Sequence, residues 1–480
     1  MPDVGLLTPG ADLAPGSPAA VTDDVALLRA MLRVEAAWVH VLVRRGVAAD
    51  IQRAASSIGA AHVGRAAPGS AAAGPTGVLP TGDDEAIDGS GAVDLTETYP
   101  EDIVEIPDAH AHDTADIAAV VDSAVERLAG PDGEALALAS RLARESGAGG
   151  NPVIPLVGAL RAAVGPQIAP VVHAGLTSQD VLDTALVLLL RDAAHAVVED
   201  LDQAAVAAAR LAAEHRGRPA LARTLAQAAV PTTLGARFAG WLQGILAARG
   251  FLSSVADALP LAYGGAAGEL SGVAALAGGA GGELALIEAW GAELGLPVGP
   301  GPWHATRTPV VRLGSALAET CAALGKVAND VLQAVRPGVG ELREPSGPGR
   351  GTSSAMAHKH NPVLSVLVRR SAIAAPHLAA QVLAAAGLAV DERSDGAWHA
   401  EWPALQQLAR HAVASAHVAT ELLDGLEVDA DAVARNLHDG LPDAGSGPDV
   451  APAAAVVDRV LEQFAAQTGP ARSGPAVGRA

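Results

Sequence analysis

The segment 343–362 concentrates side chains of the types that transfer protons and bind anions. Glycine and proline in its first half indicate a mobile loop. From Arg343 to Arg370 the chain has five Lys or Arg residues and one acid, a net charge of +4. Such a loop is suited to capture a carboxylate or phosphate group, although a solvated basic loop has the same composition. Its hydroxyls, ammonium, amide and imidazoles come from Ser353, Ser354, Lys359, Asn361, His358 and His360.

A second polar stretch, 173–184, contains a Thr177-Ser178 turn just before a long predicted helix. Free N–H groups and the helix dipole favour an anion at such a turn. Thr177 and Ser178 could instead only cap the helix, and both roles are compatible. His173, at the start of the stretch, is as often a structural hydrogen-bonding residue as a ligand-binding one.

The sequence predicts that the elements that position these residues are helices. Aromatic residues make up 2% of the chain, so Ala, Leu and Val must fill the core, and convincing alternating strands are lacking. We therefore predict a mainly α-helical fold with long bundle helices. The predicted helices are 21–45, 114–145, 180–215, 233–257, 268–294, 308–335, 363–388, 401–424 and 452–467. The predicted loops are 147–155, 173–179, 217–232, 259–267, 296–307 and 336–362.

Composition excludes several classes of function. The 480 residues carry a net charge of −21, which disfavours binding to nucleic acid or to an anionic membrane. A single cysteine, Cys321, permits no intrachain disulfide. The N-terminal residues lack a secretory pattern, and no apolar run approaches the ~20 residues that span a bilayer. We therefore expect a soluble, cytoplasmic protein.

The acidity is concentrated in one segment. Residues 82–116 contain 12 acidic residues and no Lys or Arg. Together with the Gly, Ala and Pro around it, this composition predicts a disordered insertion at about 65–115. We expect that insertion to be dispensable for chemistry, and the rest of the chain is only mildly acidic.

Three stretches together resemble the fumarase/aspartase superfamily. Residues 351–362, GTSSAMAHKHNP, resemble its signature loop, usually written GSSxMPxKxNP. Residues 173–184 and 223–235 resemble its first and second conserved regions, in the same order. The resemblance covers about 21–55 and 115–470. Within the superfamily, it favours the 3-carboxy-cis,cis-muconate cycloisomerase branch through the segments 149–157, 263–270, 302–307 and 391–402.

The resemblance implies an all-α subunit of three domains around a central bundle of long helices. The corresponding expected domains are 1–145, 146–385 with the signature loop 343–362, and 386–480. It also implies a homotetramer with active sites shared between subunits, and no metal or organic cofactor. The apolar helix 180–215 fits this assembly, since its apolar surface exceeds what one subunit obviously needs.

The resemblance also implies roles for individual residues. Ser353 matches the catalytic serine of the signature loop, whose alternative role is a capping or loop serine. Arg393 matches a substrate-binding arginine of the adenylosuccinate lyase branch, and an interdomain ion pair is its alternative. The implied substrate-binding residues are His173, Thr177, Ser178, Gln227, Lys359, Asn361 and Arg393.

Two positions depart from the superfamily pattern. Leu225 stands where many members have a histidine for acid–base work, which argues against a fumarase, argininosuccinate lyase or adenylosuccinate lyase mechanism and leaves a second proton carrier unassigned. Ala357 stands where the loop usually has proline, so the loop is expected to be more mobile.

The resemblance thus implies an enzyme that lactonises 3-carboxymuconate to 4-carboxymuconolactone in aromatic catabolism. In that direction the hydroxyl of Ser353 would deliver a proton to carbon. Two alternatives remain open: a C–N lyase similar to adenylosuccinate lyase, and a non-catalytic member that keeps the fold.

Overall fold

The computed structural model describes residues 18–63, 114–279, 281–356, 358–444 and 448–468. Ala357 and the predicted acidic insertion up to residue 113 lie outside these residues, and the last two positions of the predicted insertion begin a helix at Thr114. The α-helices of the described stretches are α1 (Asp24–Arg44), α2 (Val47–Val63), α3 (Thr114–Ala129), α4 (Asp132–Gly149), α5 (Val153–Val164), α6 (Ser178–Glu214), α7 (Leu234–Asp257), α8 (Ser271–Leu276), α9 (Glu283–Leu294), α10 (Thr308–Ala334), α11 (Val363–Gly387), α12 (Gly396–Asp424), α13 (Ala430–Gly440) and α14 (Ala451–Thr468). The strands are β1 (Pro219–Thr224), β2 (Gln227–Thr233), β3 (Leu342–Arg343) and β4 (Glu427–Val428).

The predicted all-α class with a long-helix bundle is confirmed. Helices α6, α7, α10, α11 and α12 pack along one another as the central bundle. Helix α6 has 37 residues, and at 1.5 Å per residue it is about 55 Å long. Every residue from Gln179 to Leu190 is buried within the single chain, as expected for a helix that is apolar on most faces.

The N-terminal helices cover one end of this bundle. Helix α1 packs on α6, α3 and α9, and the rings of Trp38 and Trp290 meet with their centroids 5.3 Å apart. Asp23 caps α1 by accepting a hydrogen bond from the N–H of Ala26 at 2.7 Å. Buried apolar residues from Ala19 to Val460 form one continuous cluster, while the predicted domain boundaries stay a prediction.

The predicted loop 217–232 is wrong, because most of it forms the antiparallel hairpin β1–β2. Thr224 pairs with Gln227, so Leu225 and Ala226 form a two-residue turn with φ values of 48° and 64°. Positive φ values are expected at both positions of a type I′ turn, which usually has Asn or Gly there. The sequence has neither residue at the turn, which is why the hairpin was not predicted.

The predicted helix 268–294 is also wrong as a single element. Helices α8 and α9 occupy its two ends. The glycines between them, Gly278, Gly279 and Gly281, have positive φ values, which a continuing helix does not allow. Similarly, the last residues of the predicted loop 147–155 begin α5 at Val153.

Helix α11 is long and apolar enough to cross a membrane by length and composition, with a mean hydropathy of 1.2. It packs between α10 and α12, but only 28% of its most apolar stretch is buried. Its outer face carries exposed apolar side chains: Val366 (50% exposed), Ile373 (60%) and Leu383 (61%).

Candidate active site

The Thr177-Ser178 turn lies at the N-terminus of α6 and is held by Asp180. The N–H of Thr177 donates to Asp180 Oδ2 at 2.9 Å, and the N–H of Gly265 donates to the same oxygen at 3.2 Å. Asp180 is buried, so it fixes the turn against the loop that contains Gly265. Because the first N–H groups of a helix have no intrahelical partners, the turn retains donors for an anion.

His173 lies just before this turn and pairs with a carboxylate from α1. Its Nδ1 is 2.6 Å from Oε1 of Glu35, and Glu35 is fully buried. Burial by itself lowers the pKa of His173, but the charge and hydrogen bond of Glu35 outweigh it, so the pKa is raised. His173 therefore has a partner that favours its cationic form.

Arg393 lies at the same end of the bundle and binds the protein itself. It donates to the carbonyls of Gly265 at 2.9 Å and Ala266 at 2.6 Å, and to Oε1 of Gln179 at 3.3 Å. These bonds tie the α11–α12 connection to the loop after α7. These contacts are hydrogen bonds to neutral oxygens and not the interdomain ion pair considered from the sequence, and the substrate-binding role of Arg393 stays a prediction.

A buried ionic cluster stabilises this end of α6. The guanidinium of Arg307 binds Asp183 at 2.6 Å and Glu401 at 2.7 Å, and all three side chains are 1% exposed. Trp398 donates to Asp183 at 2.9 Å. Burial lowers the pKa of Arg307, but the two carboxylates outweigh it, so the pKa is raised. Burial raises the pKa of Glu401 against the effect of Arg307.

The signature loop is pinned at both of its ends. Glu344 accepts the N–H groups of Leu364 at 3.0 Å and Ser365 at 2.8 Å, which caps α11. Across the loop, the backbone N–H and the amide of Asn361 donate to the carbonyl of Gly351 at 2.8 Å and 3.2 Å. Gly351 has φ +68°, and a Cβ there would lie 2.5 Å from the Asn361 carbonyl oxygen. Only glycine fits this crossing.

Ser353 is the half-buried residue at the centre of this loop. Its Oγ accepts the N–H groups of Met356 at 3.1 Å and Ala355 at 3.4 Å. Two N–H donors aimed at a hydroxyl oxygen favour its deprotonated form. The same contacts are those of a loop-capping serine, so the structure shows the capping role of Ser353, and its catalytic role stays a prediction. Lys359 is exposed in the same loop.

Gln227 lies at the start of β2, exposed, at the same end of the bundle as Ser353. Buried Glu341 connects the hairpin to the base of the signature loop. Its carboxylate accepts from Arg223 at 2.8 Å and Arg237 at 3.0 Å, and from the amide of Asn436 at 2.9 Å. Burial raises the pKa of Glu341, but these donors outweigh it and hold the pKa below its ordinary value.

The structure divides the predicted site residues between the two ends of the bundle. His173, Thr177, Ser178 and Arg393 lie where α6 begins. Gln227, Ser353, Lys359 and Asn361 lie where α6 ends, because β1 follows α6 directly and Glu341 ties the hairpin to the signature loop. Helices α6 and α11, about 55 Å and about 37 Å long, run between the two groups, so one chain does not bring them together.

The net charge of +4 in residues 343–370 is partly neutralised by folding. Arg350 forms an ion pair with Glu421 of α12, and Arg343 lies 3.6 Å from Glu427 of β4. These exposed pairs contribute little to stability. They leave less excess positive charge at the loop than the sequence count indicates.

A protein-family model described as Lyase matches residues 116–375. That stretch is more than half of the chain and includes the Thr177-Ser178 turn, the hairpin and the signature loop. The chain belongs to the fumarase/aspartase superfamily. The superfamily consists of enzymes, and the resemblance found in the three sequence stretches is thereby confirmed.

Members of the superfamily that this chain is similar to catalyse different reactions. It is 49% identical over 301 residues to a nitrosuccinate lyase of Streptomyces davaonensis, which covers 62% of this chain and 63% of that protein. It is 40% identical to a 3-carboxy-cis,cis-muconate cycloisomerase of Bradyrhizobium diazoefficiens, over 62% of this chain and 65% of that one. The match thus spans less than two thirds of these relatives.

The fold is similar to that of the 3-carboxy-cis,cis-muconate lactonizing enzyme from Pseudomonas putida. The TM-score is 0.66 at 26% identity, over 94% of this chain and 86% of that one. This similarity extends over more of the chain than the sequence matches do, and it supports the superfamily fold of the bundle.

Sequence reasoning missed two buried acids near the predicted site residues of this superfamily member. Glu35 pairs with His173, and Glu341 pairs with Arg223 of the hairpin. The only available signal was a single acid on the apolar face of α1, which sequence alone does not distinguish from a solvated residue. Their partners come from distant parts of the chain, and only folding reveals them.

Proposed function

We propose that this protein is a β-elimination lyase that uses Ser353 as its base and acts on nitrosuccinate. The observation that carries the proposal is the pair of N–H donors on Ser353 Oγ, because they stabilise the alkoxide that a base requires. The choice of substrate rests on the 49% identity to a nitrosuccinate lyase, which exceeds the 40% identity to a cycloisomerase.

The reaction would proceed as follows. The alkoxide of Ser353 takes a proton from C3, the electron pair of that C–H bond forms the C2=C3 double bond, and the C2–N bond breaks. The products are fumarate and nitrite, and the proton is released from Ser353 to solvent. Negative charge accumulates on the carboxylate beside C3 before the bond breaks, so cations and N–H donors around that carboxylate lower the barrier.

Nitrite leaves as a stable anion and needs no general acid. The absence of a histidine at Leu225 is therefore compatible with this reaction, since one proton carrier is sufficient. In this scheme Lys359, Asn361 and Gln227 bind one end of the substrate. Thr177, Ser178 and His173 bind the other end.

Cycloisomerisation of 3-carboxymuconate is the second candidate. It is favoured by the similarity to the cycloisomerase and to the solved lactonizing enzyme. There the carboxylate nucleophile needs no deprotonation, and Ser353 delivers a proton to carbon instead of removing one. Both reactions therefore need the same serine, and the substrate distinguishes them.

Either reaction requires an assembly of several subunits. The two groups of predicted site residues lie at opposite ends of helices α6 and α11, which are about 55 Å and about 37 Å long, while a substrate of this size must contact both. A homotetramer in which one subunit supplies the α6 N-terminus and another supplies the signature loop satisfies this requirement. We place that assembly in the cytoplasm.

The deciding experiment compares purified wild type and Ser353→Ala on both substrates. We expect nitrite release from nitrosuccinate by wild type, measured colorimetrically, and a loss of at least about 10³-fold in kcat for Ser353→Ala, the size of effect that removal of a catalytic group usually has. Ser354→Ala, one position along, is the matched control and should retain most of the activity.

Two results would contradict parts of this proposal. Loss of the diene absorbance of 3-carboxymuconate without nitrite release from nitrosuccinate would select the second candidate. Full activity of Ser353→Ala on either substrate would remove Ser353 as the base.

A further inference from the structure

Glu35 is a buried carboxylate in an otherwise apolar setting. It is 0% exposed, and its neighbours on the buried face of α1 include Met31, Val34 and Trp38. One of its oxygens, Oε1, contacts His173, and the other, Oε2, has no hydrogen-bond partner in the described part of the chain. A carboxylate buried in this way is costly unless a cation compensates it. His173 is the group in position to do so.

The imidazole of His173 is held firmly in place. Its backbone has φ +62°, a conformation that residues other than glycine adopt at a cost. Both neighbouring carbonyls are tied down, since Trp38 donates to that of Ala174 at 2.8 Å and Arg161 to that of Val172 at 3.1 Å. The backbone therefore keeps the ring in one orientation against Glu35.

The remaining nitrogen of His173 is available to a ligand. Glu35 occupies Nδ1, and no residue of the described stretches bonds Nε2. The side chain is 15% exposed and lies four positions before Thr177, at the N-terminus of α6. The charged groups that face it are Glu35 from α1, Arg161 from α5 and Asp180 from α6. The two carboxylates favour a cationic ring and the guanidinium opposes it.

We propose that Glu35 is a positioning residue that keeps His173 cationic and oriented, so that Nε2–H donates a charged hydrogen bond to a substrate carboxylate at the N-terminus of α6. The proposal rests on the proposed function, because it assigns a partner to one carboxylate of that substrate. It also explains how an anion is held where Asp180 opposes the favourable effect of the helix dipole.

The proposal fixes the direction of a pH effect. The pKa of His173 is raised above its ordinary value, so the ring stays charged at low pH and loses its charge as pH rises through the folded-state pKa. The affinity for a carboxylate ligand should therefore be constant at low pH and fall at high pH. Removing the charge of Glu35 lowers the pKa of His173 and moves this weakening to lower pH.

The test measures the Kd of succinate by titration calorimetry between about pH 6 and about pH 9, for wild type, Glu35→Gln and His173→Gln. Glutamine keeps the size and the acceptor oxygen of Glu35 but not its charge. We expect Glu35→Gln to bind succinate about tenfold more weakly at pH 8 and to show its pH-dependent weakening at lower pH. His173→Gln should bind weakly at every pH. Turnover of nitrosuccinate should change in KM and not in kcat.

Glu293→Gln is the matched control, because Glu293 also pairs with a histidine. Its partner is His40 of helix α1, at 3.2 Å. This variant should leave succinate binding unchanged. Identical pH profiles for wild type and Glu35→Gln would overturn the proposal, as would a wild type that binds succinate independently of pH. If Glu35→Gln does not fold, wild type and His173→Gln alone still decide whether His173 causes the pH dependence.

The outcome is separable from that of the proposed function. One result would be a wild type that turns over neither nitrosuccinate nor 3-carboxymuconate while its succinate affinity depends on pH through Glu35. That result would refute the proposed reaction and support the positioning role of Glu35. Turnover of nitrosuccinate together with no effect of Glu35→Gln on succinate binding would support the proposed reaction and refute the role of Glu35.

Discussion

At the scale of single residues, the tip of the β1–β2 hairpin places two non-glycine residues in the left-handed region. Leu225 is 98% exposed with φ 48°, and Ala226 follows with φ 64°. Each such residue costs roughly 1–2 kcal/mol in backbone strain. The exposed tip does not contribute to the packing of the bundle. Substitutions that relieve its backbone strain can therefore stabilise the protein.

We expect Ala226→Gly to raise the free energy of unfolding by about 0.5–1 kcal/mol, since relief of strain exceeds the extra entropy of glycine in the unfolded chain. Thermal melting followed by circular dichroism measures the change. Ala228→Gly, two positions away in β2 with ordinary strand geometry, should lower the stability instead. A loss of stability in Ala226→Gly as large as that in Ala228→Gly would contradict the strain argument.

The sequence identifies the signature loop because one short segment holds all of its residues. Asn361 and Gly351 belong to the same motif, and the structure joins them at 2.8 Å. The partners of His173 and Arg223 are Glu35 and Glu341, which lie more than a hundred positions away in the chain. No local pattern marks such pairs, and the structural role of Arg393 was left undecided for the same reason.

At the scale of elements, one ionic cluster joins three helices of the bundle at the end that carries the α6 turn. Arg307 stands at the N-terminus of α10, Asp183 in α6 and Glu401 in α12. Because two carboxylates share one guanidinium away from water, removal of the cation leaves two buried and unpaired charges.

We therefore expect Arg307→Met to destabilise the protein by about 3–5 kcal/mol, measured by urea unfolding. The matched control is Arg249→Met, because Arg249 makes a similar two-bond pair with Asp202 on the surface, where the two side chains are 39% and 47% exposed. That variant should lose no more than about 1 kcal/mol. Equal losses of unfolding free energy in the two variants would show that the buried cluster contributes no more to stability than a surface ion pair does.

Most elements were predictable because helix signals are local and repeat over many residues. Helices α6, α7, α10 and α11 begin and end within a few residues of their predicted bounds. The β1–β2 hairpin was not predicted because its turn lacks Asn and Gly. It is stabilised by tertiary contacts, such as the bond of Arg223 to Glu341 and the burial of Leu221, rather than by local propensity.

At the scale of the whole molecule, the surface expected to join subunits is not the one indicated by the sequence. The apolar early part of α6 is buried within one chain, so it offers no surface for assembly. The outer face of α11 does, because residues 371–390 contain no Asp, Glu, Lys or Arg. Within this range the exposed apolar side chains Ile373 and Leu383 lie about three turns apart and form an apolar stripe. This stripe runs between the two ends that hold the divided site.

An apolar stripe that joins subunits makes assembly and activity depend on the same residues. We expect Leu383→Glu to convert the proposed tetramer to smaller species in light scattering and to abolish turnover, although Leu383 belongs to neither group of site residues. Leu284→Glu is the matched control, since Leu284 on α9 is also exposed, by 53% against 61% for Leu383, and its variant should remain assembled and active. A Leu383→Glu protein that is monomeric yet fully active would mean that one chain completes the site, and the argument from the length of α6 would then fail.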